Sequence, residues 1–152
     1  MRLSLDPPLD PAVYPFSHQI RVRFAETDAM SVVHHANYPL YLEEARVAHL
    51  RDAGHSYSAL RDEGVDFAVI EAFVQYRQPL RFDDVVDVHL GIGKLTRMTF
   101  QIAYLLTVAD EVRSTAVTVH ACVDPTGRPT RIPAWGRAVA ERDQFRVPAT
   151  DD

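Results

Sequence analysis

The sequence has a single cysteine, Cys122, among its 152 residues. One thiol cannot close an intrachain disulfide or build a multi-cysteine metal site. Cys122 lies in an apolar stretch and reads as inert core. No uninterrupted apolar run approaches the roughly 20 residues a membrane-spanning helix needs. Residues 1–15 carry Asp6, Asp10 and four prolines where a signal peptide would have an apolar centre. A membrane span and secretion are therefore disfavoured, and a cytoplasmic location is expected. Excess positive charge is missing too. Lys and Arg number 16 against 21 Asp and Glu, a net charge of −5, whereas a general nucleic-acid binder is basic. Internal repeats and low-complexity linkers are absent. What is present, 47% hydrophobic and 24% charged residues, is the composition of a folded domain. A mass of 17.1 kDa suits one such domain. The expected division is a loose, proline-punctuated arm over 1–15, a single domain over 16–145 and a tail over 146–152.

Periodicity gives the elements. From Gln19 to Phe24 the pattern alternates, with Ile20, Val22 and Phe24 on one face, which predicts a half-buried strand. A polar stretch from Glu26 to Asn37 reads as turn. From Tyr38 to Ala53 the apolar spacing becomes helical, with Tyr38, Tyr41, Leu42, Ala45 and His49 on one stripe. Asn37 is a reasonable cap, Pro39 suits the first turn and Gly54 a helix end. Ser56 to Gly64 reads as a shorter helix. Three long strands are expected next to a first one over Phe67–Arg77: Val85–Leu95, Met98–Val108 and Val112–Val123. In the first of these four, Ala68, Ile70, Ala72, Val74 and Tyr76 should form an apolar face. Asp124-Pro125-Thr126-Gly127 is a turn, and Ile132, Trp135 and Val139 suggest a last amphipathic helix. The order predicts an α+β fold, a long helix wrapped by about five antiparallel strands. Long strands with an open edge favour self-association.

The stretch with chemistry runs from Phe24 to Tyr38. It holds Glu26, Asp28, His34 and His35 just before a helix start. Free N–H groups there can bind an anion or a developing oxyanion, and a nearby carboxylate can activate water. The combination suits addition of water to a carbonyl. Asp28 can equally organise an Asx-turn. Glu26, Asp28, His34 and His35 could hold a metal, but no second cluster with ligand spacing supports one, so no metal is expected. His34 reads as a solvated neighbour, and Glu43, Glu44 and Arg46 as helix-face ion pairs.

Thr27-Asp28-Ala29, Val32-Val33-His34-His35-Ala36-Asn37-Tyr38 and Glu44-Ala45-Arg46, with Val123-Asp124-Pro125, Gly127-Arg128-Pro129 and Ile132-Pro133 later, resemble the hotdog-fold acyl-CoA thioesterases. The likeness is to the 4-hydroxybenzoyl-CoA thioesterase type, and within it to the small bacterial enzymes associated with the Tol-Pal cluster. It spans roughly Ser17 to Pro133. The resemblance implies a hotdog fold, a homodimer or homotetramer, and hydrolysis of a thioester on coenzyme A or acyl carrier protein. The family's catalytic aspartate falls on Asp28 and its histidine on His35, whose backbone N–H matches the oxyanion donor. A helix glutamate serves as the acid in some members, which gives Glu44 a minor claim. Two positions depart from the pattern: Phe24 stands where close relatives have tyrosine, and Ser31 where they have glycine. Serine tolerates positive φ less well. Without the tyrosine hydroxyl, the His35 imidazole is expected to carry a larger share.

A thiolate leaves readily, the ordinary pKa of a thiol being about 8.5, so attack at the carbonyl is the demanding step. Asp28 can serve as general base or as nucleophile. No cofactor is expected, coenzyme A being part of the substrate. Its phosphates need local cations, and Lys94, Arg97, Arg128 and Arg131 are the candidates. An acyl-carrier-protein thioesterase and a non-catalytic acyl-binding or scaffold protein are the alternatives.

Overall fold

Apolar positions at steps of three and four build the helix α1, Tyr38–Asp52, which buries Tyr38, Tyr41, Leu42, Ala45 and His49. These are the five residues the sequence spacing selects. The computed structural model describes residues 3–145, and the expected tail over 146–152 lies outside them. The other elements are β1 (Phe16–Arg21), α2 (Tyr57–Asp62), β2 (Asp66–Tyr76), β3 (Val85–Gly93), β4 (Thr99–Val108), β5 (Glu111–Val123) and α3 (Ala134–Arg142). The strands form one sheet in the order β1-β3-β4-β5-β2, antiparallel at every pairing. The fold is α+β, and α1 lies against β1 and β3. No helix among the described residues is long and apolar enough to cross a membrane.

The central strands are buried on both faces. Phe100, Ile102, Tyr104 and Leu106 of β4 join the core that holds α1. On the other face Leu105 clusters with Val13 and Tyr14, and the Gln101 side chain accepts the N–H groups of Ser4 and Leu5 at 3.1 and 3.2 Å. The N-terminal segment is thus packed against the sheet rather than loose. Its Tyr14 hydroxyl donates to the Pro8 carbonyl at 2.7 Å, and burial raises the phenol's pKa.

Two sequence patterns are redirected. Phe24 does not continue β1. The Val22 N–H bonds the Asp84 carbonyl at 2.9 Å, and Glu26 takes the Arg23 N–H at 2.7 Å. These contacts turn the chain into a short 3₁₀ helix, Phe24–Glu26, and leave Phe24 74% exposed. In β2 a bulge between Val69 and Glu71 shifts the alternation by one. Phe67 and Val74 both pack on the core, although a regular strand would set them on opposite faces. Ile70 and Tyr76, expected inside, are exposed, and so are Val69 and Phe73.

Candidate active site

The loop between β1 and α1 is built on a buried carboxylate. Glu26 accepts the Tyr41 hydroxyl at 3.0 Å and pairs with the Arg23 guanidinium at 3.2 Å. Burial and the Glu26 contact raise the Tyr41 pKa, so the phenol stays a donor. The Glu26 carbonyl accepts the His34 N–H at 2.9 Å and the Asn37 side-chain amide at 2.8 Å. Glu26 is thereby occupied as scaffolding. Asn37 precedes α1, but its side chain makes no capping bond. The 3₁₀ turn before α1 is capped instead by His34, whose Nδ1 accepts the Ala36 N–H at 3.1 Å, so His34 does more than meet solvent.

Between the Thr27–Val33 bridge the chain makes a tight turn. The Ser31 N–H bonds the Asp28 carbonyl at 2.9 Å, and the Asp28 N–H bonds the Val32 carbonyl at 2.9 Å. Ser31 adopts φ 61°, the left-handed geometry that glycine tolerates best. The Asp28 Oδ1 accepts the Met30 N–H at 2.8 Å, so the Asx-turn reading holds. It leaves the second carboxylate oxygen without a bond to any described residue.

A 3₁₀ turn over His35–Asn37 leads directly into α1. His35 is its first residue, and its N–H meets no acceptor among the described residues. Asp28, His35 and Tyr38 line one side of an open cleft, and Tyr76, Arg77 and Pro79 the other. The His35 imidazole stacks on His34 at 4.2 Å and makes no bond to Asp28 among the described residues. Phe24 faces away, packed edge-on against Phe82 at 5.6 Å. Tyr76 instead brings a phenol into the cleft, its hydroxyl 3.5 Å from the His35 carbonyl. Neither Tyr76 nor Arg77 stood out in the sequence, because the end of β2 meets the Asp28 loop only in the fold, where the Val33 N–H bonds the Leu80 carbonyl at 2.8 Å. Among the described residues no three His, Cys, Asp or Glu side chains are grouped to hold a metal ion.

The four candidate phosphate ligands lie elsewhere. Lys94 and Arg97 follow β3, and the Arg97 carbonyl accepts the Ile132 N–H at 3.0 Å, which joins them to the loop of Arg128 and Arg131. That loop follows Val123, which pairs with Asp66, whereas the cleft adjoins Tyr76, which pairs with Ser114. At about 3.3 Å per residue the two ends are roughly 30 Å apart. One chain does not bring these cations to Asp28. Glu44 bonds His18 at 3.0 Å and Arg46 bonds the Tyr104 hydroxyl at 3.2 Å, so neither makes the expected helix-face pair.

A long helix held against a five-stranded antiparallel sheet, with an acid and a helix-start N–H in one cleft, defines the hotdog class. The chain belongs to the thioesterase-like superfamily, whose family model matches residues 22–142. It is 33% identical over 112 residues to the acyl-CoA thioester hydrolase YbgC of Escherichia coli O6:H1, covering 72% of this chain and 83% of that one. It is 30% identical over 126 residues to the 1,4-dihydroxy-2-naphthoyl-CoA hydrolase of Nostoc punctiforme, covering 79% and 85%. A crystal structure of a hypothetical protein from Aquifex aeolicus superposes with a TM-score of 0.80 at 40% identity, covering 83% of this chain and 99% of that one.

Proposed function

We propose that the protein hydrolyses an acyl-CoA thioester to a free acid and coenzyme A. The observation that carries this is the cleft shared by Asp28 and the unpaired His35 N–H. Asp28 acts as general base toward water or as nucleophile, and the N–H at the start of the helix holds the oxyanion. A preorganised donor of this kind contributes about 3–4 kcal/mol. The finer placement, beside the Tol-Pal-associated enzymes of the 4-hydroxybenzoyl-CoA thioesterase type, rests on the spacing from Asp28 to His35-Ala36-Asn37-Tyr38.

The working unit in this reading is a homodimer or a pair of dimers. β2 is an edge strand with Val69, Ile70, Phe73 and Tyr76 exposed. Antiparallel pairing of two β2 strands sets the Asp66 end of one copy beside the Tyr76 end of the other. The second copy's Lys94, Arg97, Arg128 and Arg131 then come toward the cleft, which answers their distance from Asp28 within one chain. No cofactor takes part.

The test is thiol release from a panel of short, long and aromatic acyl-CoAs, with and without exhaustive chelation. Turnover that survives chelation supports the reading. Thioesters cleaved only on acyl carrier protein, or on neither carrier, contradict it.

A further inference from the structure

The concave face of the sheet encloses a second cavity, beneath the C-terminal half of α1 and α3. Phe67, Phe100, Ile102, Ile132, Trp135 and Val139 make its walls apolar. Arg46, His49 and His120 also reach it. His49 is already committed to Asp143 at 2.7 Å. Arg46 and His120 are linked. The Arg46 guanidinium donates to the Tyr104 oxygen at 3.2 Å. The Tyr104 and Thr118 hydroxyls are 2.9 Å apart, and the Thr118 hydroxyl is 2.7 Å from the His120 Nε2.

The first member sets the direction of this chain. A guanidinium can only donate, so the Tyr104 oxygen receives from Arg46, and its own proton, buried with no other acceptor among the described residues, goes to Thr118. Thr118 then donates to Nε2. A neutral imidazole that accepts at Nε2 carries its proton on Nδ1. Burial first, and then the Arg46 charge, push the His120 pKa down to about 3, which keeps the ring neutral. His120 is 2% exposed, and Phe100 stacks on it at 4.9 Å and 7°. Its Nδ1 is buried without a hydrogen-bond partner. The Phe67 carbonyl is near enough to favour the protonated ring slightly, but outside bonding geometry. An unpaired buried N–H is costly, and native structures rarely leave one without a purpose.

We propose that this cavity receives the far end of the acyl group, and that the His120 Nδ1–H binds an uncharged acceptor oxygen there. The inference rests on the thioesterase reading and names its substrate class: a long acyl chain with a keto or hydroxyl oxygen near its far end. The cleft and the cavity are each lined by residues of both α1 and β2. Tyr38 and Tyr76 meet at the first, their rings 4.8 Å apart. Arg46 and Phe67 wall the second. The separation is about 12 Å counted along α1 and about 23 Å counted along β2 from Tyr76 to Val69, the partner of His120. A dodecanoyl chain reaches into that interval, and a short acyl group does not.

Two measurements test the pocket. The first compares kcat/KM for 11-oxododecanoyl-CoA and dodecanoyl-CoA. The wild-type enzyme should favour the ketone about tenfold, equivalent to about 1.4 kcal/mol, and His120→Phe should bring the ratio close to one. A wild-type ratio near one, or a ratio unchanged by His120→Phe, overturns the proposal. The second needs neither turnover nor a variant that folds. With 15N-labelled histidine, 2-octanone should shift the His120 Nδ1 resonance of the wild-type protein and 1-octene should not. Absence of that shift at saturating ketone overturns the proposal and leaves only a trapped water as the partner of Nδ1. A ketone shift without cleavage of either thioester would retain the pocket and remove the thioesterase reading. Cleavage of both at equal rates, with no shift, would do the reverse.

Discussion

The Oδ1 of Asp28 accepts the Met30 N–H at 2.8 Å, so one oxygen of this cleft-lining carboxylate shapes the loop while the other has no bond to any described residue. On the proposed function, turn-maker and reactive acid would be the same residue. The arrangement fixes the carboxylate's orientation before substrate arrives, which lowers the cost of positioning it for attack.

His35→Ala removes an imidazole that stacks on His34 but leaves the backbone N–H at the start of the helix. The expected loss in kcat/KM is about ten- to a hundredfold, or about 1.4–2.7 kcal/mol in barrier. That is smaller than the loss on changing Asp28. A double variant no worse than the worse single would mean that the two side chains act as a unit, contrary to the geometry.

Ser31 sits at φ 61° in the turn that carries Asp28. Ser31→Gly should relieve left-handed strain, for a gain of about 0.5–1 kcal/mol, with kcat/KM within about twofold of wild type. Urea denaturation measures the first and steady-state kinetics the second. A lower urea midpoint would show that serine is not strained there.

The stripe from Tyr38 to His49 was legible because a 3.6-residue period needs no partner to be read. The strand order and the interior of the site were not. Alternation through Phe24 looks like a strand, but the Arg23–Glu26 contact bends the chain. That contact is a capping geometry hidden inside a period-two pattern. The parity change in β2 follows from one unpaired residue, which spacing alone does not reveal. Asp28 and His35 stood out through the likeness of their loop to the hotdog thioesterases, which a single stretch of sequence is enough to carry. Tyr76, Arg77 and the Arg46–His120 chain did not, since they meet only through pairings between distant segments. The four basic residues are expected to meet phosphate, and their distance from Asp28 within one chain depends on sheet register, which spacing does not reveal.

Asp143 accepts from His49 and from the Arg142 guanidinium, at 2.7 and 2.6 Å to the same oxygen. Burial alone would raise its pKa, but the hydrogen bonds from Arg142 and His49, with their charges, hold the carboxyl below its usual value. A group lowered in the folded state adds stability above its unfolded pKa and loses it as pH falls through the folded one. Asp143→Asn should therefore cost roughly 1–3 kcal/mol at pH 7. The gap to wild type should close below about pH 4. A gap independent of pH between 7 and 2 would contradict this origin.

Phe73 lies on the edge strand and is 53% exposed. Phe73→Glu should halve the mass seen by light scattering at micromolar concentration, because it places charge on the face where β2 would pair with a second copy. A wild-type protein that is already monomeric would contradict the assembly.

The central claim is that Asp28 drives thioester cleavage, and the direct measurement is kcat/KM of Asp28→Asn on an acyl-CoA that the wild-type enzyme hydrolyses. Asparagine keeps the oxygen that accepts the Met30 N–H, so the variant should melt within a few degrees of wild type. Its kcat/KM should fall by at least about a thousandfold, roughly 4 kcal/mol in barrier. A folded Asp28→Asn protein that releases thiol at near wild-type rates would contradict the account.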